Sequence, residues 1–141
     1  MKVVTYLSFP GSCEEAFGFY AAVLGGRVGE IFRYGGSPMA DQAPADWQDK
    51  VMHGNLTLGD QELMGSDVVP EQYEVPGGFT LSIQLDDTTE AERIFGALSE
   101  QGRIVMPLEQ TFWAARFGMV VDRFGTPWTI NCDGSASATE A

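Results

Sequence analysis

The sequence predicts an α+β protein in which two tandem β-α-β-β-β modules form a curved, eight-stranded cup. Short segments alternate apolar and polar residues as strands do, two longer segments have helical apolar spacing, and the whole order of elements recurs after roughly 75 residues. Such a recurrence is typical of a duplicated supersecondary unit. We therefore expect one domain over residues 1–132, with a first module at about 1–67, a linker at 68–77, a second module at about 78–132, and a disordered tail over 133–141.

The first module begins with a strand and a helix. Residues 3–9 are rich in β-branched and aromatic side chains and end at a Pro-Gly pair, which is typical of a strand followed by a turn. Ser12 with Glu15 predicts a capping box, apolar spacing over residues 16–24 predicts the helix, and a Gly-Gly pair predicts its end. The other predicted elements are strands at 28–33, 51–58 and 62–64, a long loop over 34–50 and a tight turn at Gly59-Asp60.

The second module repeats this order. Residues 79–85 alternate as a strand, Asp87 with Glu90 predicts the start of a second helix, and Gly102 predicts its end. Further strands are predicted at 103–106, 116–122 and 127–132. The acidic pairs Glu14-Glu15 and Asp86-Asp87 are interpreted as helix-capping residues because both lie at predicted helix N-termini.

Strand alternation also predicts which residues lie on the sheet faces that the helices leave uncovered. The candidate ligand-binding residues on these faces are His53, Asn55, Thr80, Ser82, Thr129 and Asn131. If both sheets curve in the same direction, these polar side chains converge on a single concavity. That concavity is the expected binding site for a small molecule.

Charge and composition exclude several classes of function. Eight Lys and Arg against twenty Asp and Glu give a formal net charge of −12, so the chain would repel nucleic acid. The apolar stretches are short and no leader pattern precedes the first strand, so we expect no membrane partner and a cytoplasmic location. Cys13 and Cys132 are too few for a disulfide framework and are expected to be packed thiols.

Two charged residues are candidates for chemistry. His53 is the single histidine and a weak candidate for a general base, because histidine titrates near neutral pH; the alternative is a hydrogen-bonded strand residue. Arg116 is a candidate for binding a ligand carboxylate or phosphonate, and a salt bridge to Glu109 or Asp122 is the alternative.

Three aromatic residues lie in predicted loops, outside periodic apolar positions. Trp47, Phe112 and Trp113 are therefore candidates for stacking on a flat ligand. Packing within the loop or contact with a second copy of the chain is an equally good interpretation.

Several motifs follow one another along these elements. They are Tyr6-Leu7-Ser8-Phe9, Ala16-Phe17-Gly18-Phe19-Tyr20, Met64-Gly65-Ser66-Asp67, Gly78-Phe79-Thr80-Leu81, Glu109-Gln110-Thr111-Phe112-Trp113-Ala114 and Asp122-Arg123-Phe124-Gly125-Thr126-Pro127-Trp128. In this order the chain resembles the vicinal oxygen chelate superfamily, which includes glyoxalase I, bleomycin-resistance proteins and extradiol dioxygenases. Within it, the chain is most similar to the bacterial PhnB-like group, also called 3-demethylubiquinone methyltransferase-like.

The resemblance implies a glyoxalase-like fold, a cup that commonly holds a divalent metal, and a homodimer. It places the metal-ligand positions at Thr5, at Leu63 or Met64, at Thr80 and at Thr129. None of these is His, Glu or Asp, so we expect no metal and no cofactor.

The leading hypothesis is a metal-free small-molecule binder or cofactorless enzyme. A metal-dependent lyase or dioxygenase, and a structural or partner-binding module without a ligand, are the alternatives.

Overall fold

A computed structural model of the chain describes residues 1–138. It divides into two compact units, Met1–Glu74 and Val75–Ala141. The last three residues of the predicted tail, 139–141, lie outside the described residues.

The first unit has the predicted β-α-β-β-β order. Its elements are β1 (Thr5–Phe9), α1 (Cys13–Leu24), β2 (Arg27–Arg33), β3 (Val51–Leu58) and β4 (Gln61–Asp67). The four strands form one sheet in the order β1-β4-β3-β2, in which β1 and β4 are parallel and the other pairs are antiparallel. The strand predicted at 62–64 extends to Asp67, because its residues as far as Asp67 pair with β1.

The second unit repeats this topology. Its elements are β5 (Leu81–Leu85), α2 (Thr88–Ser99), β6 (Arg103–Glu109), β7 (Arg116–Val121), β8 (Pro127–Cys132) and a short α3 (Ser135–Ala138). The sheet order is β5-β8-β7-β6, again with the first and last strands of the unit parallel to each other.

These elements confirm the α+β class and the two tandem modules. The eight strands form two separate four-stranded sheets. The expected convergence of the two polar faces on one concavity concerns the arrangement of the units, and it stays a prediction.

Each core lies between a helix and one face of its own sheet. In the first unit, Phe9, Phe17 and Tyr20 are almost fully buried, and the Phe9 and Phe17 rings meet edge to face at 6.0 Å between centroids. In the second unit, Leu98 of α2 and Ile130 of β8 are fully buried. Burial of these side chains is the main force that holds each helix on its sheet.

The start of α1 differs from the predicted capping box. Ser12 makes no side-chain capping bond. The Cys13 backbone N–H donates instead to Asp67 Oδ1 at 2.8 Å, and the Val51 N–H donates to Asp67 Oδ2 at 2.9 Å. The Asp67 side chain is buried, so this carboxylate links β4, α1 and β3 inside the first unit.

The predicted capping role of the acidic pairs holds for one of them. Asp87 accepts a bond from the Thr89 N–H at 2.9 Å and caps α2. Glu14 instead forms a two-bond ion pair with Arg33, with N–O distances of 3.0 and 2.9 Å. The hydrogen bond from Arg33 lowers the pKa of Glu14, and the nearby positive charge adds to this effect.

The two helices end differently, although a glycine was predicted to end each one. Gly25 has a φ of 74° and closes α1 in the left-handed conformation. In α2 the left-handed residue is Gln101, with a φ of 58°. Gly102 is needed for space instead, because a Cβ on it would lie 2.5 Å from the Val121 carbonyl oxygen.

The loop over residues 34–50 and the start of the tail are more ordered than predicted. The loop contains two short 3-10 turns, Ala40–Gln42 and Ala45–Trp47, and the Gln48 side-chain amide donates to carbonyls in this segment. In the tail, the Asp133 N–H donates to the Leu85 carbonyl at 3.1 Å. A composition of small and polar residues does not predict these hydrogen bonds.

The motif from Asp122 to Trp128 has a structural role that depends on the buried Asp122 side chain. Its carboxylate accepts bonds from the Phe124 and Thr126 N–H groups at 2.8 and 3.1 Å and from Trp128 Nε1 at 2.8 Å. The motif from Asp122 to Trp128 is therefore a hydrogen-bonded turn between β7 and β8.

Candidate functional site

The sheet face opposite the helix is identified in each unit by a glycine under the helix. A Cβ on Gly65 of β4 would lie 2.9 Å from Phe17 Cζ of α1, and a Cβ on Gly118 of β7 would lie 2.9 Å from Phe95 Cε2 of α2. Because side chains alternate along a strand, the neighbouring positions lie on the opposite faces. We call the sheet face opposite α1 the first open face, and the sheet face opposite α2 the second open face.

The first open face carries a cluster of three rings. Tyr6 Oη lies 3.1 Å from His53 Nδ1, and the two rings stack with their centroids 5.6 Å apart. The Phe32 ring lies 6.4 Å from the His53 ring, as expected from the direct pairing of these residues between β2 and β3. Tyr6 and Phe32 are 50% and 47% exposed, so about half of the surface of each side chain is accessible to solvent.

A polar chain lies on the same face. Asn55 Nδ2 donates to Glu62 Oε2 at 2.5 Å, and Lys2 Nζ donates to Glu62 Oε1 at 2.7 Å. The hydrogen bonds from Lys2 and then Asn55 lower the pKa of Glu62. The predicted residues His53 and Asn55 therefore share the first open face, as the alternation indicated.

The second open face carries the other four predicted polar residues. The Thr80 and Thr129 hydroxyl oxygens are 2.7 Å apart and hydrogen-bonded. Asn131 Nδ2 donates to Gln84 Oε1 at 2.8 Å, and Gln84 Nε2 donates to Ser82 Oγ at 2.5 Å. Parallel pairing of β5 with β8 places Ser82 beside Thr129 and Gln84 beside Asn131.

Trp113 belongs with the second open face. Its ring meets Phe117 edge to face at 5.1 Å, and Phe117 pairs with Asn131 across β7 and β8. Trp113 is 51% exposed, and the neighbouring Phe112 ring, 4.8 Å away, is 96% exposed. The aromatic residues of this loop are therefore available to a ligand or to another protein surface.

An open pocket of about 480 Å³ lies at the end of the second open face. It is lined by Gln84, Leu85, Asp86, Asn131 and Asp133. The hydrogen bond from the Ser135 backbone N–H lowers the pKa of Asp133, and the Ser135 hydroxyl adds to this effect. The sequence reasoning missed Asp86 and Asp133 as lining residues, although both directly follow the carboxyl ends of the parallel strands β5 and β8.

Two predicted site residues are not placed on these faces. Arg116 Nε bonds Glu92 Oε1 of α2 at 3.2 Å, so its partner is neither Glu109 nor Asp122. Arg116 pairs with the buried Cys132, which belongs to the helix-bearing side of the sheet. The expected salt bridge is thus present with a different carboxylate, because α2 crosses over β7.

Trp47 lies against Lys50 of its own loop and against Gly11, in the turn between β1 and α1. Its Cη2 atom would lie 3.2 Å from a Cβ on Gly11, and Lys50 Nζ lies 5.7 Å from the centre of its ring. Trp47 Nε1 is buried and has no hydrogen-bond partner within residues 1–138. These contacts favour the packing interpretation of this residue.

Neither cysteine is poised for nucleophilic chemistry. Burial is the main cause, and the negative charges of Asp67 and Glu14 are lesser causes, of a pKa of Cys13 that is raised to about 12. Burial also raises the pKa of Cys132. The thiolate, which is the reactive form, is therefore suppressed at both positions.

Comparison with known proteins identifies the family. Residues 1–131 match the family described as 3-demethylubiquinone-9 3-methyltransferase. The chain belongs to this PhnB-like family. The chain is 34% identical over 139 residues to the protein YjdN of Escherichia coli K12, and the aligned region covers 93% of this chain and 95% of YjdN.

Solved structures of similar proteins share the fold of this PhnB-like chain. Protein PA1353 from Pseudomonas aeruginosa is 47% identical, with a TM-score of 0.85 over 94% of this chain and 98% of that one. A Bacillus cereus PhnB protein, described as a putative 3-demethylubiquinone-9 3-methyltransferase, is 28% identical, with a TM-score of 0.80 over 94% and 99%.

A glyoxalase/bleomycin resistance/dioxygenase superfamily member from Sphaerobacter thermophilus, 17% identical, shares the fold with a TM-score of 0.54 over 94% and 98%. This likeness confirms the expected glyoxalase-like fold.

The metal that the superfamily implies does not fit the residues of this PhnB-like chain. At two of the expected ligand positions, Thr80 and Thr129 present neutral hydroxyls that bond each other. Thr5, a third position, pairs with Leu63 on the helix-bearing side, so alternation leaves Tyr6 and Met64 on the first open face. Within residues 1–138, no three His, Cys, Asp or Glu side chains form a group that could hold a metal ion.

Among the helices described within residues 1–138, none has both the length and the apolar content needed to cross a bilayer.

Proposed function

We propose that this PhnB-like protein binds a small molecule without a metal ion, either as a binding protein or as a cofactorless enzyme. The ligand would contact the first open face or the second open face. The proposal is carried by the hydrogen-bonded hydroxyl pair of Thr80 and Thr129, at two positions where the resemblance implies metal ligands. Neutral hydroxyls are poor ligands for zinc but good donors and acceptors to an organic molecule.

The residues of the open faces favour a flat ligand that carries hydrogen-bonding oxygen atoms. Tyr6, Phe32 and Trp113 expose ring surface on which such a ligand would stack. Serine, threonine and amide side chains beside these rings would bind its polar atoms. A ligand with high negative charge is disfavoured, because the net charge is −12 and Lys2 and Arg116 already pair with carboxylates.

A thermal-shift screen tests the proposal. The panel contains small carboxylates, phosphonates, quinones and glutathione adducts, because a ligand that binds the folded state raises the melting temperature by mass action. For a hit on the second open face, Thr129→Val is expected to weaken binding by roughly threefold to tenfold, since one hydrogen bond contributes about 0.5–1.5 kcal/mol.

Thr89→Val is the matched control, because Thr89 is an exposed residue of α2. Equal affinities of the Thr129→Val and Thr89→Val variants would contradict a ligand role for the hydroxyl pair. A panel without any hit, together with cavities filled by the protein's own side chains in a crystal structure, would favour the structural or partner-binding alternative.

The metal-dependent alternative is distinguished by metal analysis of the purified protein. Near-stoichiometric zinc, nickel, iron or manganese that a chelator removes would support a lyase or dioxygenase and would overturn the metal-free proposal. We expect less than stoichiometric metal and an unchanged melting temperature after chelation, because the hydroxyl and thioether groups at the expected positions bind such ions weakly.

The family description does not lead us to propose methyl transfer. Nucleotide-type methyl donors are commonly bound by a glycine-rich turn on a doubly wound parallel sheet. The part of the chain that the structure describes contains two four-stranded sheets of mixed direction. A homodimer remains the expected oligomeric state, on the basis of the superfamily resemblance, and light scattering of the purified protein measures it. A cytoplasmic location remains an expectation from the sequence pattern.

A further inference from the structure

We infer that Tyr6 is a positioning residue that keeps neutral His53 protonated on Nε2, so that His53 offers an N–H to an oxygen atom of the ligand. The role toward a ligand rests on the proposed function. The protonation site of the ring is a property of the free protein and can be tested by itself.

The geometry confines the His53 ring from two sides. The Tyr6 ring of β1 stacks on the His53 ring with an interplanar angle of 29°. The Phe32 ring of β2 also neighbours the His53 ring, with an interplanar angle of 31°. The ring is held so that Nδ1 points to Tyr6 Oη at 3.1 Å. Within residues 1–138, no hydrogen-bond partner is found for Nε2 of His53, which leaves this atom for a ligand.

The chemistry of the two groups decides the direction of the bond. A neutral imidazole has one nitrogen that donates and one that accepts, and the bond at one nitrogen sets the state of the other. The phenol hydroxyl is the more acidic donor, and the unprotonated imidazole nitrogen is a stronger acceptor than a phenolic oxygen. Tyr6 therefore donates to Nδ1, and the ring proton resides on Nε2.

This arrangement changes the role expected for His53. A neutral ring with its proton on Nε2 cannot remove a proton from a ligand at that atom, so the free side of His53 is a donor and not a general base. The complementary ligand is a flat molecule with a carbonyl or carboxylate oxygen that receives the Nε2 proton in a hydrogen bond. Rings of such a ligand would extend over Tyr6 and Phe32.

Nuclear magnetic resonance gives a direct test, because His53 is the single histidine of the chain and its ring signals need no assignment. Long-range proton–nitrogen spectra are recorded while the pH is raised until the ring signals no longer change, so that the neutral ring is observed. We expect Nδ1 of the wild-type protein to resonate as an unprotonated, hydrogen-bonded nitrogen and Nε2 as a protonated one. In Tyr6→Phe, which keeps the ring stack and removes the hydroxyl, both nitrogen signals should shift toward those of a tautomer mixture.

Phe32→Leu is the matched control, because it removes the other neighbouring ring and leaves the Tyr6 hydroxyl in place; its nitrogen signals should remain those of the wild type. A protonated Nδ1 in the wild-type protein would overturn the inference, as would identical nitrogen shifts in the wild type and in Tyr6→Phe. The wild-type spectrum carries the test even if a variant folds poorly. The thermal-shift screen fails or succeeds separately, so a wrong tautomer and a wrong proposed function give different results.

Discussion

Asp67→Asn is expected to lower the free energy of unfolding by about 2–4 kcal/mol, the largest loss for any single polar change that we propose. The two carboxylate oxygens of Asp67 accept bonds from the backbone N–H groups of Cys13 and Val51. An asparagine of the same shape keeps one acceptor, but its amide group then meets a second N–H donor. Because the site is buried, water cannot replace the lost bond.

Urea unfolding followed by circular dichroism measures this change, and Asp60→Asn provides the control. Asp60 lies in the exposed turn between β3 and β4, so the same chemical substitution there should alter the free energy by less than about 0.5 kcal/mol. Similar unfolding midpoints for both variants would show that the Asp67 carboxylate does not organise the start of α1.

Gly65→Ala is expected to destabilise the protein by about 1–3 kcal/mol, although alanine adds only one carbon atom. The new Cβ would lie 2.8 Å from the Leu7 carbonyl oxygen and 2.9 Å from Phe17 Cζ. The first of these atoms is backbone of the strand that pairs with β4, so the clash cannot be relieved by rotating a side chain. Either α1 must move away from the sheet or the pairing of β1 with β4 must loosen.

Gly96→Ala is the matched control in the same denaturant experiment. A Cβ on Gly96 meets no atom within 4 Å, and Gly96 lies inside α2. Alanine is the better helix former, so this variant should gain about 0.5–1 kcal/mol. The two variants should therefore change the unfolding midpoint in opposite directions, and a midpoint for Gly65→Ala at or above the wild type would contradict the close packing under α1.

The candidate site was predictable to the extent that it follows strand alternation. Side chains alternate between the two faces of a sheet along each strand, so the sequence predicts the face on which a strand residue lies. The structure confirms the predicted face for Asn55, Ser82, Thr129 and Asn131. The resemblance implied a ligand position at Thr5, and the pairing of Thr5 with Leu63 places it on the helix-bearing face of the sheet. A shift of one residue reverses the face of a strand, and strand alternation alone does not decide which residue of the pair is aligned with a family position.

Partner residues could not be predicted in the same way. Arg116 was expected to pair with Glu109 or Asp122, which are near in sequence or in a neighbouring turn, and it pairs with Glu92 on α2. Tyr6 was noticed only as part of a motif, and its contact with His53 joins residues 47 positions apart. Contacts of this kind depend on how strands and helices are arranged in space, which a local pattern does not contain.

The sequence by itself determined the number, type and order of the main strands and helices and the duplication of the module. These features follow from apolar periodicity, turn residues and internal repetition, all of which act over a few neighbouring residues or over the repeat itself. Only the tertiary structure decided that the Asp67 carboxylate, 54 residues away from Cys13, accepts a hydrogen bond from the first residue of α1. It likewise decided that the Tyr6 hydroxyl lies against Nδ1 of His53. The physical reason is that β4 pairs in parallel with β1 and antiparallel with β3, which brings these distant side chains together.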